Sequence, residues 1–255
     1  MSLLGREHLL TLLSLGVVAA VLCAVARRSI RDGTGRAAGV LCRLLAALLV
    51  ANEALEQVIA LVRGRWSWTE LLPLHLCDIG IAVTALALIF AGRALSAGQA
   101  ASLSLSCGEN EDRAPRFRGR RLFELAYYWG LAGTIQALLT PAIEERFPDP
   151  ACLRFFVMHG GVVISVLVMV FGLGLRPRRG SVLRVWGVTA LLALPVGLVN
   201  WLLGANYMYL CGPPPRASLY DHLGPWPWSL AVMGAVALLL FWICYLPVRL
   251  SRFFR

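Results

Sequence analysis

Residues 40–62 read VLCRLLAALLVANEALEQVIALV, from Val40 to Val62. Only Arg43, Asn52, Glu53, Glu56 and Gln57 interrupt the apolar run. A hydrocarbon core of about 30 Å asks for roughly 20 such residues in a helix. The stretch is long enough to cross a membrane, yet it carries two carboxylates and two amides near one end. A charged residue at the centre of an isolated span costs about 2.5–3.5 kcal/mol on insertion scales, so these groups call for a protein-lined cavity, with partners or water.

The same pattern recurs along the chain. Apolar runs at 9–26, 71–91, 121–140, 154–175, 183–205 and 229–247 join 40–62 to give seven expected spans. Hydrophobic residues make up 58% of the 255, and the mean hydropathy is +0.71. Backbone groups in lipid must pair within their own segment, which selects helices; the alternation of barrel strands is missing. The expected fold is all-α: a polytopic membrane protein, one seven-helix transmembrane bundle covering residues 1–255.

The formal charge of +10 resides entirely in arginine, for the chain has no lysine. Its distribution follows the connections rather than a nucleic-acid-binding stripe. Seventeen arginines fall in the 27–36, 92–121 and 176–184 connections and beyond residue 248; six (Arg6, Arg63, Arg65, Arg146, Arg154 and Arg216) fall on the other side. The positive-inside rule then places the N-terminus outside and the C-terminus in the cytoplasm. Trp66, Trp68, Trp226 and Trp228 fall at expected outer boundaries, where indole is favoured. Arg6, the apolar run and Ala24-Val25-Ala26 imitate a signal peptide, but four arginines follow and oppose export, so the segment reads as a retained span. The expected location is the cell (cytoplasmic) membrane.

Two connections stand out. Residues 92–120 are rich in Ser, Gly and charge and read as a flexible cytoplasmic loop. Residues 206–228 hold Asn206-Tyr207-Met208-Tyr209, Pro213-Pro214-Pro215 and Pro225-Trp226-Pro227-Trp228, and read as a structured outer loop. Pro195 should disturb the sixth span. Cys152 and Cys211 share the outer side, where a disulfide could clip two loops or two free small residues could remain.

At 1.5 Å per residue, five spans deliver polar groups to one outer layer. His75, Cys77 and Asp78 lie roughly 6–11 Å below the outer end, His159 and Asn200 about 8 Å, Glu53 and Glu56 roughly 9–14 Å, and Gln136 about 6 Å. Glu53, Glu56 and Gln57 share a helical face, as do Cys77 and Asp78 with Leu74, and His75 with Asp78. Asn52 and Asn206 belong to the same cavity. Cys77 and His75 point roughly 200° apart around a helix, so the better base for Cys77 is His159 from another span. Against this, a lone Cys77 is commonly a small core residue, His159 beside Gly160-Gly161 could bond a neighbouring helix, and the Glu53/Glu56 pair could be structural. No HxxxH, HExxH or paired-Cys spacing suggests a metal, and no cofactor is expected.

Several blocks carry a resemblance: Leu72-Pro73-Leu74-His75-Leu76-Cys77, Tyr128-Trp129-Gly130-Leu131-Ala132-Gly133, Phe155-Phe156 with His159-Gly160, Asn206 to Cys211, and Leu223-Gly224-Pro225-Trp226-Pro227-Trp228. Together they resemble the bacterial YwaF-type membrane proteins and, through them, the transmembrane protein 164 family. That resemblance implies lipid acyl transfer by a Cys nucleophile with a His; a more distant similarity is to the androgen-induced intramembrane hydrolases, which use Thr and His. The family's nucleophilic Cys stands between a Pro and a His, where this chain has Leu74; Cys77 lies one turn deeper. The leading expectation is an acyltransferase or lipid ester hydrolase acting on membrane phospholipid. In it Cys77 attacks, His159 moves the proton, Asn200 or Gln136 steadies the oxyanion, and Asp78 or Glu56 orients a His. The alternative is a small-solute or ion carrier, or a sensor, using the same cavity. Neither reading requires nucleic acid or an obligate protein partner.

Overall fold

The computed structural model describes residues 5–98, 118–141, 143, 147–214 and 219–250. Every regular element among them is helical: α1 Arg6–Arg31, α2 Arg36–Val62, α3 Leu76–Ser96, α4 Arg120–Tyr128, α5 Ile135–Leu139, α6 Pro150–Leu167, α7 Ser181–Leu203 and α8 Trp228–Leu250. A π-helical segment, Trp129–Thr134, joins α4 to α5, and another, Val168–Gly172, prolongs α6. Six helices are long and apolar enough to cross a membrane: Arg6–Arg31, Arg36–Val62, Leu76–Ser96, Pro150–Gly172, Ser181–Leu203 and Trp228–Leu250. The protein is an all-helical, multi-pass membrane protein. The remaining expected span, 121–140, is the run through α4, the π segment and α5, whose winding changes twice along its length.

Some expected boundaries move. The third span was placed at 71–91, but its helix begins at Leu76. Pro73 accounts for this, since its ring pushes the preceding residue out of helical geometry and its missing N–H cannot serve a ladder. The loop expected from residue 92 starts later, because α3 continues to Ser96, whose hydroxyl donates to the Gly92 carbonyl (2.9 Å) and accepts from Arg43 Nη1 (2.9 Å). Residues 99–117 of that loop lie outside the described residues. Pro195 sits inside α7, where it leaves one carbonyl of the preceding turn without its helical donor.

The chain divides into two compact units. The first comprises Met1–Glu53 and Gly80–Arg178, the second Ala54–Ile79 and Arg179–Arg255. In the first, α1 and α6 approach closely through small residues. A Cβ added to Gly160 would stand 2.7 Å from Leu15 Cδ2, and one added to Gly172 would stand 2.7 Å from Ala26 Cβ. Such spacing is how helices associate in lipid, where dispersion rather than water drives contact. Leu138, Cys152 and Phe156 form a buried cluster lined by Leu12, Leu15 and Val163. Glu124, 2% exposed, is held by Arg178 through its backbone N–H (3.1 Å) and Nε (2.9 Å). A buried carboxylate is tolerable only with such charge-assisted partners. In the second unit Trp186 Nε1 of α7 donates to the Gly234 carbonyl of α8 at 2.8 Å. Val196, Ala205 and Tyr207 form its buried core, with Leu72, Leu74 and Leu210 against them.

Candidate functional site

Asp78 is the third residue of α3, and His75 precedes the helix as its cap. Asp78 Oδ2 accepts the His75 main-chain N–H at 3.1 Å, while the His75 carbonyl accepts the N–H of Asp78 (3.1 Å) and of Ile79 (3.2 Å). This is one half of a capping box: an acidic side chain at N3 reaches back to the cap's N–H, while the cap contributes its main-chain carbonyl and not its side chain. The carboxylate also sits at the positive end of the helix dipole. Its other oxygen, Oδ1, accepts the Cys77 thiol proton at 3.3 Å. Cys77 is exposed at the second position of the helix. Helix geometry leaves the first-turn N–H groups without intrahelical acceptors; that of Leu76 has none among the described residues, and that of Cys77 faces its own sulfur.

The second side of the site comes from the segment after α7. Helix α7 ends at Gly204, whose φ of 65° is the left-handed turn a glycine makes freely. Asn200 then pairs with the main chain of Tyr207 from both ends of its amide: Oδ1 accepts the Tyr207 N–H at 2.8 Å and Nδ2 donates to the Tyr207 carbonyl at 2.9 Å. The Tyr207 hydroxyl accepts the Leu72 N–H (3.0 Å) and donates to the Trp68 carbonyl (2.8 Å). Tyr207 is fully buried and so ties the loop before α3 to the loop after α7. Asn206 closes the turn by accepting the Cys211 N–H (3.0 Å) and donating to the Gly212 carbonyl (3.1 Å), and Trp226 Nε1 donates to the Leu210 carbonyl (3.1 Å).

Between these braces, Met208 and Tyr209 take φ values of 56° and 55°. A non-glycine residue in the left-handed region costs about 1–2 kcal/mol, and two in succession persist only where the surroundings over-determine them. The turn aims the Met208 N–H at His75 Nδ1, 3.4 Å away, and brings the Tyr209 ring to 5.4 Å from the imidazole, with Tyr207 at 5.3 Å on another side. His75 stands ahead of the spanning helix, where burial lowers its basicity below the usual histidine range. Burial above all raises the Tyr209 phenol beyond its ordinary value, so it is protonated at neutral pH.

The sequence-derived candidates thus fall into two groups. His75, Cys77, Asp78, Asn200 and Asn206 share the second unit, and there the first three form one constellation. Asn200, expected to steady an oxyanion, has its amide committed to Tyr207 instead. Gln57 accepts from Trp66 Nε1 at 3.0 Å, and Glu56 stands one position ahead of it in the same unit. Asn52, Glu53, Gln136 and His159 belong to the first unit. Asn52 Nδ2 donates to the Arg154 carbonyl at 3.5 Å, Glu53 is half-buried, and Gln136 is exposed on α5. His159, 6% exposed, donates from Nδ1 to the Phe155 carbonyl at 3.0 Å and stacks on the Phe155 ring at 4.2 Å. A neutral ring so bonded keeps its lone pair on Nε2.

Of the two alternatives for Cys152 and Cys211, the structure shows no disulfide: Cys152 is buried against Leu138 and Phe156, and Cys211 is exposed in the turn that Asn206 closes. Sequence reasoning overlooked Met208, Tyr207 and Tyr209 as site residues, although it quoted their block. It also overlooked His8, which is fully buried in α1 and donates from Nε2 to the Leu138 carbonyl at 2.8 Å.

The model of the TMEM164 family matches residues 3–245. No curated protein and no solved structure matches the chain.

Proposed function

The chain belongs to the TMEM164 family, and from that premise we propose that it is a thiol-dependent acyltransferase or hydrolase of membrane lipid esters. One observation carries the reading: an exposed thiol at the start of a helix, bonded at 3.3 Å to a carboxylate whose other oxygen is fixed by the cap of the same helix. A thiolate is the nucleophile, and a thiol becomes one in place when an adjacent base takes its proton as attack proceeds.

Cys77 Sγ attacks the carbonyl carbon of the lipid ester, and its proton passes to Asp78 Oδ1. The C=O electron pair moves onto the oxygen, where the N–H groups of Leu76 and Cys77 can receive it at the positive end of α3. Collapse breaks the ester C–O bond, and the departing alcohol takes the proton back from Asp78. The product is a thioester on Cys77. A hydroxyl of a second lipid, or water, then repeats the sequence in reverse, giving transfer or hydrolysis. Membrane phospholipid is the donor this chemistry suits, since its ester groups lie at the level where spanning helices begin. His159 carries the tautomer a proton acceptor needs, and it is the second group to test.

The test uses purified protein in nanodiscs containing a phospholipid with a labelled acyl chain and an unlabelled lysophospholipid. We expect label on the protein as a hydroxylamine-sensitive thioester, absent from Cys77→Ala, together with label in the lysophospholipid product. Full turnover by Cys77→Ala rejects the thiol mechanism. If His159→Ala abolishes thioester formation while Asp78→Asn does not, the proton belongs to His159 instead.

A further inference from the structure

The His75 ring has two nitrogens, and only one has a partner among the described residues. Nδ1 lies 3.4 Å from the Met208 nitrogen, whose N–H can only donate. A neutral imidazole that accepts at Nδ1 must carry its proton on Nε2. That Nε2–H has no acceptor among the described residues, and neither has the hydroxyl of Tyr209, whose ring stands 5.4 Å from the imidazole. The site therefore holds two unspent donors on neighbouring rings, and His75 stands two residues before a thiol whose own proton is already spoken for.

We infer that Met208, through its main-chain N–H, locks His75 with its proton on Nε2, so that His75 and Tyr209 act as paired hydrogen-bond donors to an oxygen of the lipid ester and His75 is not the base. The inference rests on the proposed acyl-transfer reading for its ligand, but its tautomer half stands apart from it. Several features of the chain converge on it. The left-handed turn at Met208 and Tyr209 accounts for both contacts at once, since it directs the N–H of one residue and the ring of the next toward His75. The braces from Asn200, Asn206 and Trp226 hold that turn on either side. Asp78 completes the division of labour. Its carboxylate engages the His75 main chain and the Cys77 thiol, leaving the His75 ring free to donate. A carboxylate at this position also disfavours an anionic ligand, whereas a neutral ester oxygen accepts two donors without opposing charge.

The tautomer is measured directly by nitrogen NMR of ring-labelled histidine in the full-length protein in nanodiscs at neutral pH, with His75 assigned through His75→Gln. We expect an unprotonated Nδ1 and a protonated Nε2. A ring protonated chiefly on Nδ1 overturns the inference. Met208→Gly keeps the N–H in a backbone that favours positive φ, and should preserve the single tautomer. Met208→Pro removes the N–H and should give a mixture; an unchanged ring in a folded Met208→Pro protein overturns the role of Met208. Turnover of the labelled phospholipid then separates donor from base. Gln places an amide N–H near the position of Nε2, so His75→Gln should retain at least a tenth of wild-type turnover while His75→Ala loses about a hundredfold. Equal losses in both overturn the donor role. Tyr209→Phe should lose at least tenfold with the His75 tautomer unchanged; full turnover in Tyr209→Phe removes it from the pair. A wild-type protein that turns over no ester, with Nε2 protonated, refutes the acyl-transfer reading and with it the ester-donor role, but leaves the Met208 lock in place.

Discussion

Asp78 has two oxygens and two duties, and they separate by mutation. Oδ2 caps α3 through His75 N–H, and Oδ1 receives the Cys77 proton. In Asp78→Asn the amide oxygen can still accept one N–H, but its nitrogen cannot accept a proton. We expect the fold to survive and the rate of thioester formation to fall about 10²–10⁴-fold, the usual worth of a positioned base, read by single-turnover labelling of Cys77. Asp78→Ala should also cost about 0.5–2 kcal/mol of stability through the lost cap, read by thermal denaturation in detergent. That Asp78 and Cys77 share a helical face was legible from one turn of sequence, but the thiol's contact with that carboxylate was not, since the sequence pointed to His159 as its base. The state of His75 was not legible. It depends on a main-chain N–H more than a hundred residues away, delivered by a left-handed turn that no periodicity announces. Asn200 misled for the same reason: an amide in a span looks like a free donor until its distant partner, the Tyr207 backbone, is known.

Hydropathy and length were enough to find the helices, because lipid enforces both. They were poor guides to where a helix starts or how it winds. Proline moved the start of α3, and tertiary packing accounts for winding changes that composition does not encode. The π segment at Val168–Gly172 brings Gly172 against Ala26, where nothing larger fits. Gly172→Ala should therefore destabilise by about 1–3 kcal/mol, since the opposing Cβ cannot rotate away. Gly16→Ala on α1, where an added Cβ meets nothing within 4 Å, should be neutral or stabilising by up to about 1 kcal/mol. Thermal unfolding of both variants in one detergent checks the pair, and equal behaviour would reject close packing at Gly172. The turn after α7 allows a parallel test. Asn200→Ala leaves the Tyr207 N–H and carbonyl without their partner in a buried place. Each orphaned group costs about 1–3 kcal/mol, so a loss of about 2–6 kcal/mol is expected.

At the scale of the whole chain the arginines carry the argument. Seventeen lie in connections on one side of the expected spans and six on the other. Translocating a short arginine-rich connection is unfavourable, and the bias sets orientation through loops close to span ends. The 27–36 turn, with Arg27, Arg28, Arg31 and Arg36, is such a loop, and α1 and α2 flank it closely. By the count of expected spans, the arginines near α7 and at the end of α8 would fall on the same side. We therefore expect activity reporters inserted between residues 95 and 118, or fused after Arg255, to report cytoplasm, and reporters inserted between residues 212 and 214 to report the exterior. This orientation has a chemical consequence. On that expected orientation the start of α3 and the turn at Tyr207–Tyr209 would face the exterior, and the lipid ester would be drawn from the outer leaflet. Labelled phospholipid confined to one leaflet of sealed vesicles distinguishes the two cases: with the C-terminus inside, label supplied outside should reach Cys77 and label supplied only inside should not. A reporter after Arg255 that is active only in the exterior would reverse the orientation, and the same reasoning would then assign the inner leaflet as the source of substrate.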